Sequence, residues 1–180
     1  NVEGGNLNYA SVDGVLFSKD GQALLSFPVG RGGHYDVPQG TLPLGEFAFG
    51  SNERLQSLTL PEGITRLEGG TVSGALALER LWLPASLQVL GAWALPQHGA
   101  LAHVEVAPGN RRYKSVEGVL FEGDTLMYYP RRQEAFYRVP PGTAGIREHV
   151  FGGNTELEAV SLPTSLTHIG SWAFSGCTSL

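Results

Sequence analysis

The residues best suited to metal binding or proton transfer are five histidines spread along the whole chain. They are His34, His98, His103, His149 and His168. A zinc site needs ligands that converge on one point about 2 Å away, and these histidines fall at different positions of the repeat described below. His34 and His103 share an outward strand position, but several coils should separate them. The pattern favours surface histidines and predicts neither a metal site nor a cofactor.

The sequence contains no motif of a known catalytic centre. Gly-x-Ser-x-Gly, a Walker loop, His-Glu-x-x-His and Cys-x-x-Cys do not occur. Gly30-Arg31-Gly32-Gly33 is a glycine-rich turn without the strand-turn-helix context that phosphate binding requires. Asp13, Asp20 and Asp124 do not form the spaced acidic loop of a calcium site, so we interpret them as turn residues. Because no acid–base pair or nucleophile arrangement converges, we expect a chain that is not an enzyme.

Composition limits the possible partners. The formal net charge of −5 argues against nucleic acid, because phosphate binding needs a basic surface. The pairs Arg111/Arg112 and Arg131/Arg132 are local and fit solvated loop charge. There is no run of 18 apolar residues, which predicts no membrane-spanning segment. The N-terminus does not resemble a signal peptide, and we expect any targeting segment to lie outside this sequence.

Glycine and proline punctuate the chain at regular intervals. The 25 glycines and 11 prolines indicate many tight turns, and the prolines that follow an aliphatic residue measure the repeat. Other apolar residues recur six, eleven, seventeen and twenty residues after these prolines, which indicates coils of 23 residues. The proline positions are Val37-Pro38, Leu60-Pro61, Leu83-Pro84, Val139-Pro140 and Leu162-Pro163.

The chain also contains a duplicated segment at a longer spacing than the 23-residue repeat. The segment Tyr9-Ala10-Ser11-Val12-Asp13-Gly14-Val15-Leu16-Phe17 recurs as Tyr113-Lys114-Ser115-Val116-Glu117-Gly118-Val119-Leu120-Phe121. Each copy leads through an aromatic-rich run to the next repeat proline. We interpret each copy as an expanded coil that carries a β-hairpin, with Asp20-Gly21 as the two-residue turn in the first.

Within one coil, the segment from Leu55 to Pro61 predicts a short strand. Leu58 and Leu60 should face the core while Ser57 and Thr59 face outward, and proline ends the strand because it donates no backbone hydrogen bond. The segment Trp172-Ala173-Phe174 predicts a short helical or 3₁₀ corner. One coil cannot bury its apolar side, but stacked coils can. With no linker in sight, residues 1–180 are expected to form a single solenoid domain, cut from a longer array.

Cys177 is the only cysteine, so it cannot form a disulfide within the chain. The residues at its position in the other coils are Asn52, Ala75, His98 and Asn154. A position that accepts Cys, Asn or Ala fits a ladder in which a small polar group satisfies turn amides. We therefore predict a structural role rather than a reactive thiol.

The phrase Ile169-Gly170-Ser171-Trp172-Ala173-Phe174-Ser175-Gly176-Cys177-Thr178-Ser179-Leu180, preceded by Leu162-Pro163-Thr164-Ser165-Leu166, resembles the BspA-type bacterial leucine-rich repeat. The resemblance covers nearly the whole chain and is weakest in the coil after Pro61, where Glu68 replaces the glycine. It implies a leucine-rich-repeat, right-handed superhelix of parallel short strands. It further implies a bacterial cell-surface or secreted protein, hence an extracellular location, that engages proteins or matrix components without catalytic residues.

The outward strand positions form the surface on which such a solenoid would recognise a partner. Two of these positions carry large aromatic residues beside arginine, and tryptophan and arginine are both enriched among residues that dominate interface energy. We therefore predict adhesion to a protein or extracellular-matrix ligand, with a structural spacer or a carbohydrate-binding module as alternatives. The alternative for the aromatic side chains is that they cover a neighbouring coil or an edge of the hairpin insertions. The predicted ligand-binding residues are Arg80, Trp82, His103, Glu105, Phe136 and Arg138.

Overall fold

The computed structural model describes residues 1–96, 99–130 and 134–180. His98 and the pair Arg131/Arg132, interpreted above from sequence, lie outside the described residues. The described residues form a β-solenoid of about six coils with parallel strands, as the repeat predicts. They cluster into two compact units, which we describe separately: Asn1–Leu101 with Val106–Arg111, and Ala102–Glu105 with Arg112–Leu180. The single domain expected from the sequence stays a prediction.

The first unit opens with an antiparallel, three-stranded hairpin sheet. Asp13 and Gly14 both adopt positive φ, 48° and 81°, the backbone that a tight two-residue hairpin turn requires. The second and third strands also form a hairpin. Its loop is longer than the two-residue turn predicted at Asp20-Gly21: Ser18 N donates to Ala23 O, and Gly21 N donates to Ser18 O, which places Lys19 and Asp20 at the centre of the turn. This confirms the hairpin in the expanded coil and adds one strand before it. The strands are β1 (Tyr9–Val12), β2 (Val15–Ser18) and β3 (Leu24–Ser26).

Parallel strands of successive coils follow in the first unit. β4, β5 and β7 form one sheet in that order, and β6 pairs with β8 in a second. His34 pairs with Ser57 and Ser57 with Arg80, each a step of 23 residues. The strand register therefore equals the sequence repeat. The strands are β4 (Gly33–Asp36), β5 (Leu55–Thr59), β6 (Arg66–Leu67), β7 (Arg80–Leu83) and β8 (Val89–Leu90).

The second unit repeats this plan after strand β9 (His103–Val106). Its hairpin turns at Glu117-Gly118, again with positive φ at both residues. The third hairpin strand pairs in parallel with the following coils, giving the order β10-β11-β12-β14-β16, and β13 pairs with β15. The strands are β10 (Tyr113–Val116), β11 (Val119–Glu122), β12 (Thr125–Tyr128), β13 (Phe136–Arg138), β14 (Gly145–Ile146), β15 (Ala159–Ser161) and β16 (His168–Ile169).

Alternation along the strands builds the core. Leu58, Leu60, Leu81 and Leu83 are each at most 3% exposed, while the residues between them face outward as predicted. Each fully buried leucine contributes roughly 1.5–3 kcal/mol of hydrophobic free energy, and the neighbouring coil supplies the burial.

An aromatic cluster stands after each hairpin. In the first unit the ring of Phe27 lies 4.7 Å from that of Tyr35 and 5.3 Å from that of Phe49. The second unit reproduces it, with Tyr129 at 4.5 Å from Tyr137 and 4.9 Å from Phe151. These clusters are the structural counterpart of the aromatic-rich run in the duplicated segment.

The coil corners differ from the sequence prediction. None of the described residues lies in a helix, so the helical or 3₁₀ corner predicted at Trp172-Ala173-Phe174 is wrong. Trp172 has a φ of 60°, a left-handed conformation that a right-handed helix excludes. The corner is instead made of consecutive turns, closed by hydrogen bonds such as that from Ala173 N to Gly170 O. Ala173 still points into the core, as the apolar pattern requires.

The polar ladder predicted at the Cys177 position is present. Asn52 Oδ1 accepts hydrogen bonds from the amides of Arg54 and Leu55, and Asn154 Oδ1 accepts the equivalent pair from Glu156 and Leu157. The Cys177 thiol donates to the carbonyl of Phe151 at 3.1 Å. A small polar side chain at this position therefore bonds turn backbone, as expected for a structural role.

Candidate binding surface

Two outward rows cross the parallel sheet of the first unit. Strand register places His34, Ser57 and Arg80 in one row and Asp36, Thr59 and Trp82 in the other. The alternation of side chains along each strand puts both rows on the face opposite the leucine core. Both predicted binding residues of this unit, Arg80 and Trp82, thus lie side by side on β7.

Trp82 is half-buried, whereas Arg80 is exposed. The indole packs edge-on to the imidazole of His34, with ring centroids 6.4 Å apart at an interplanar angle of 90°. Because His34 lies two strands away, Trp82 reaches across the β5 positions between them. Trp82 therefore covers its neighbours in part and also presents some of its surface to solvent, and its role in ligand binding stays a prediction.

A chain of hydrogen bonds fixes the polar side chains of this face. His34 Nδ1 lies 2.7 Å from Ser57 Oγ, and His34 Nε2 lies 2.9 Å from Asp36 Oδ1. Hydrogen bonds from Thr59 and then His34 lower the pKa of the Asp36 carboxyl below its ordinary value. An ionised carboxylate only accepts hydrogen bonds. His34 Nε2 is therefore the donor to Asp36, which sets the orientation of the imidazole.

The second unit presents a different outward face. On β13, Phe136 and Arg138 are exposed while Tyr137 between them is buried. Their register partners on β15 are Ala159 and Ser161. Phe136 is 51% exposed, so it presents an aromatic ring to solvent beside an arginine.

The remaining two predicted residues lie on β9, where His103 is half-buried and Glu105 is exposed. Val104 between them is fully buried. The six predicted residues therefore occupy outward positions of three strands, two on each of β7, β9 and β13.

Sequence reasoning missed the convergence of Ser57, His34 and Asp36. These three side chains form a hydrogen-bonded chain that was not predicted from the sequence. A signal for it was present in the sequence: His34 and Asp36 alternate on one strand, and Ser57 follows His34 by one 23-residue repeat. The exposed aromatic residues of the corners, Phe47, Trp93 and Trp172, were also missed as surface features.

The described ranges contain no group of three or more His, Cys, Asp or Glu residues arranged to hold a metal ion. They also contain no helix that is long and apolar enough to cross a bilayer.

Short parallel strands, an apolar interior and polar ladders on turn backbone define a repeat solenoid. Residues 34–126 and 135–180 match the model of the BspA type leucine-rich repeat region, in six copies. The chain belongs to that family. No curated protein matches it in sequence.

Solved structures support the same assignment. The pneumococcal vaccine antigen PcpA is 30% identical, with a TM-score of 0.70 over 80% of this chain and 37% of its own. A leucine-rich cell surface protein from Faecalibacterium prausnitzii is 24% identical, with a TM-score of 0.59 over 76% of this chain and 43% of its own. A leucine-rich repeat protein from Eubacterium ventriosum is 16% identical, with a TM-score of 0.55 over 95% of this chain and 62% of its own. The latter two show the fold alone. This chain spans about 37–62% of the length of these three proteins.

The comparisons characterise the chain as a repeat module of the kind found in bacterial surface proteins. Members of this repeat family are generally binding modules rather than enzymes.

Proposed function

We propose that the chain is a ligand-binding, adhesive module of a bacterial cell-surface or secreted protein, and that its strand faces contact a protein or extracellular-matrix ligand. The observation that carries the proposal is the pairing of an outward aromatic residue with arginine on two strands. Trp82 stands beside Arg80 on β7, and Phe136 beside Arg138 on β13.

The physical basis of the proposal is the solvent exposure of these side chains. The exposed part of an aromatic ring gains little from folding, yet it removes a large apolar area from water when a partner covers it, and tryptophan and arginine are enriched among the residues that dominate interface energy. Arginine adds planar, bidentate hydrogen bonding to carboxylates at little rotamer cost per bond. On the first unit, the hydrogen bonds among His34, Ser57 and Asp36 hold the neighbouring polar groups in place before binding. Preorganisation of this kind reduces the entropy lost on association.

The experiment measures adhesion of the intact chain to a plate-coated basement-membrane extract. The double variants Arg80→Ala/Trp82→Ala and Phe136→Ala/Arg138→Ala are compared with the wild type. A hot-spot residue contributes about 2 kcal/mol or more, so loss of a pair that contains one hot spot should weaken binding by roughly 30-fold or more if that face is used.

Trp172→Ala is the matched control, because Trp172 is a more exposed aromatic residue, 67%, on a corner rather than on a strand. Wild-type affinity in both double variants, with an unchanged unfolding transition, would remove the strand faces from consideration. No binding by the wild type itself would favour the structural spacer. Adhesion abolished by glycosidase treatment of the coat would favour a carbohydrate ligand.

A further inference from the structure

The hydrogen-bonded chain of Ser57, His34 and Asp36 has the connectivity of a nucleophile, a general base and an orienting carboxylate. Ser57 Oγ lies 2.7 Å from His34 Nδ1, and the other ring nitrogen lies 2.9 Å from Asp36 Oδ1. Both distances are those of formed hydrogen bonds. A serine within reach of a base that a third group orients is the general arrangement of an activated nucleophile.

The tautomer of His34 follows from the charge of Asp36. The carboxylate accepts hydrogen bonds from Thr59 and from His34 Nε2, which lowers its pKa and keeps it ionised at neutral pH. In the neutral imidazole the proton is therefore on Nε2, and Nδ1 has a free lone pair. Ser57 O–H then donates to Nδ1, so the serine proton already points to its acceptor.

We propose that Ser57 is an activated nucleophile that accepts acyl and phosphonyl groups from small electrophilic donors such as aryl esters. This assignment goes beyond ligand binding and does not depend on the proposed adhesion. The aryl or acyl part of a donor would pack against Trp82, whose ring stands edge-on to His34 at 6.4 Å. Arg80, the register partner of Ser57 on β7, supplies a guanidinium on the same face for the developing negative charge.

The chemical step balances with these residues and water alone. Ser57 Oγ attacks the ester carbonyl carbon while its proton passes to His34 Nδ1. The bond to the leaving alcohol then breaks, and that alcohol takes the proton from Nδ1, which leaves an acyl ester on Ser57. Water attacks this ester by the reverse sequence, so that one ester and one water give one acid and one alcohol.

The rate should be far below that of a dedicated hydrolase. The backbone amides nearby are used inside the sheet, as in the bonds from Val37 N to Thr59 O and from Leu60 N to Trp82 O. An oxyanion hole normally contributes about 10²–10³-fold, and an exposed arginine replaces only part of it. General-base assistance contributes about 10²–10⁴-fold, which should raise the labelling rate of Ser57 above that of a serine that has no histidine partner.

The test is the rate of covalent labelling of the intact chain by a fluorophosphonate, in which the P–F bond breaks, fluoride leaves and a stable Ser57 phosphonyl ester forms. Peptide mass spectrometry locates the label. We expect labelling at Ser57, loss of that label in Ser57→Ala, and at least a roughly 10²-fold slower rate in His34→Gln. Asp36→Asn should slow labelling as well, because its amide no longer fixes the tautomer.

Two matched controls isolate the effect. Ser161 lies on the strand face of the second unit with no histidine in the paired positions of β13, and His168 is an exposed histidine on β16. Ser161→Ala and His168→Gln should label at the wild-type rate. Labelling spread evenly over several serines would overturn the proposal, and so would an undiminished rate in a His34→Gln variant that keeps the wild-type circular dichroism spectrum.

Discussion

Replacement of the buried ladder residue Asn52 by alanine should cost the fold several kilocalories per mole. Asn52 is fully buried. Its Nδ2 donates to the carbonyls of Pro28 and Arg31 at 2.8 and 3.0 Å, and its Oδ1 accepts from the amides of Arg54 and Leu55 at 2.8 and 2.7 Å. Each such hydrogen bond contributes about 1 kcal/mol net. The four together predict a loss of about 3–5 kcal/mol in the free energy of unfolding.

Asn154 provides the internal comparison, because it occupies the same position of the repeat with fewer bonds. Its Oδ1 accepts from the amides of Glu156 and Leu157, both at 3.1 Å. Its Nδ2 is buried, and the described part of the chain offers it no acceptor. By the same arithmetic, Asn154→Ala should cost about 2 kcal/mol, roughly half the cost of Asn52→Ala.

The assay is urea unfolding followed by circular dichroism, with the slope m compared between variants. Repeat stacks can unfold in segments, so the comparison requires m values that agree with the wild type. Asn52→Asp is the complementary variant. It keeps the oxygen that accepts hydrogen bonds from both backbone amides, but it points a second carboxylate oxygen at two carbonyls, and it should be at least as destabilising as Asn52→Ala. Equal losses in the two alanine variants, or a loss below about 1 kcal/mol for Asn52→Ala, would refute the hydrogen-bond account.

Three further changes test the corner, the polar face and the core. Gly70→Ala should cost about 1–2 kcal/mol, because Gly70 has a φ of 86° and a Cβ there would lie 2.5 Å from Phe47 Cε1; an unchanged thermal midpoint would contradict this. Thr59→Val should raise the pKa of Asp36 towards its ordinary value by removing the largest cause of its depression. The stability that ionised Asp36 contributes is present above the ordinary pKa of aspartate and is lost as the pH falls through the lowered pKa of Asp36. A carboxyl NMR titration of Thr59→Val that matches the wild type would exclude the Thr59 hydrogen bond as the cause. Leu58→Ala should cost about 2–5 kcal/mol in urea unfolding, because Leu58 is fully buried; a smaller loss would mean that the coils close around the cavity.

The strand register could be predicted from sequence because two independent signals agree. Alternation of apolar and polar residues fixes which side chains of a strand face the core, and the proline spacing fixes which residues of successive strands are neighbours. A slip of one residue would expose Leu58 and Leu81 together, so the 23-residue register is strongly specified. The pairs Phe136 with Ala159 and Gly145 with His168 repeat it in the second unit.

The corners could not be predicted in the same way. Phe47, Trp93, His149 and Trp172 stand at one position of the repeat with φ between 56° and 60°. Bulky residues rarely adopt this left-handed backbone conformation. The tertiary structure overrides that local preference because the residues on either side must reach the core. The one signal in the sequence was Gly70, which occupies this position in the remaining coil and is the residue that left-handed backbone favours.

The chemistry of the strand face therefore depends on residues 23 apart, which lie side by side on neighbouring strands and form a column across the sheet. It does not depend on residues that are consecutive in the sequence. One column reads His34, Ser57 and Arg80 and makes a hydrogen-bonded polar surface. The equivalent column on β13 and β15 reads Phe136 and Ala159 and presents an open aromatic ring. Each column lies on the apolar strand interior of its own unit, so exchange of an outward residue should alter recognition at little cost to folding. Membership of a repeat family consequently predicts the solenoid fold. Only the outward residues of each column can predict which ligand binds.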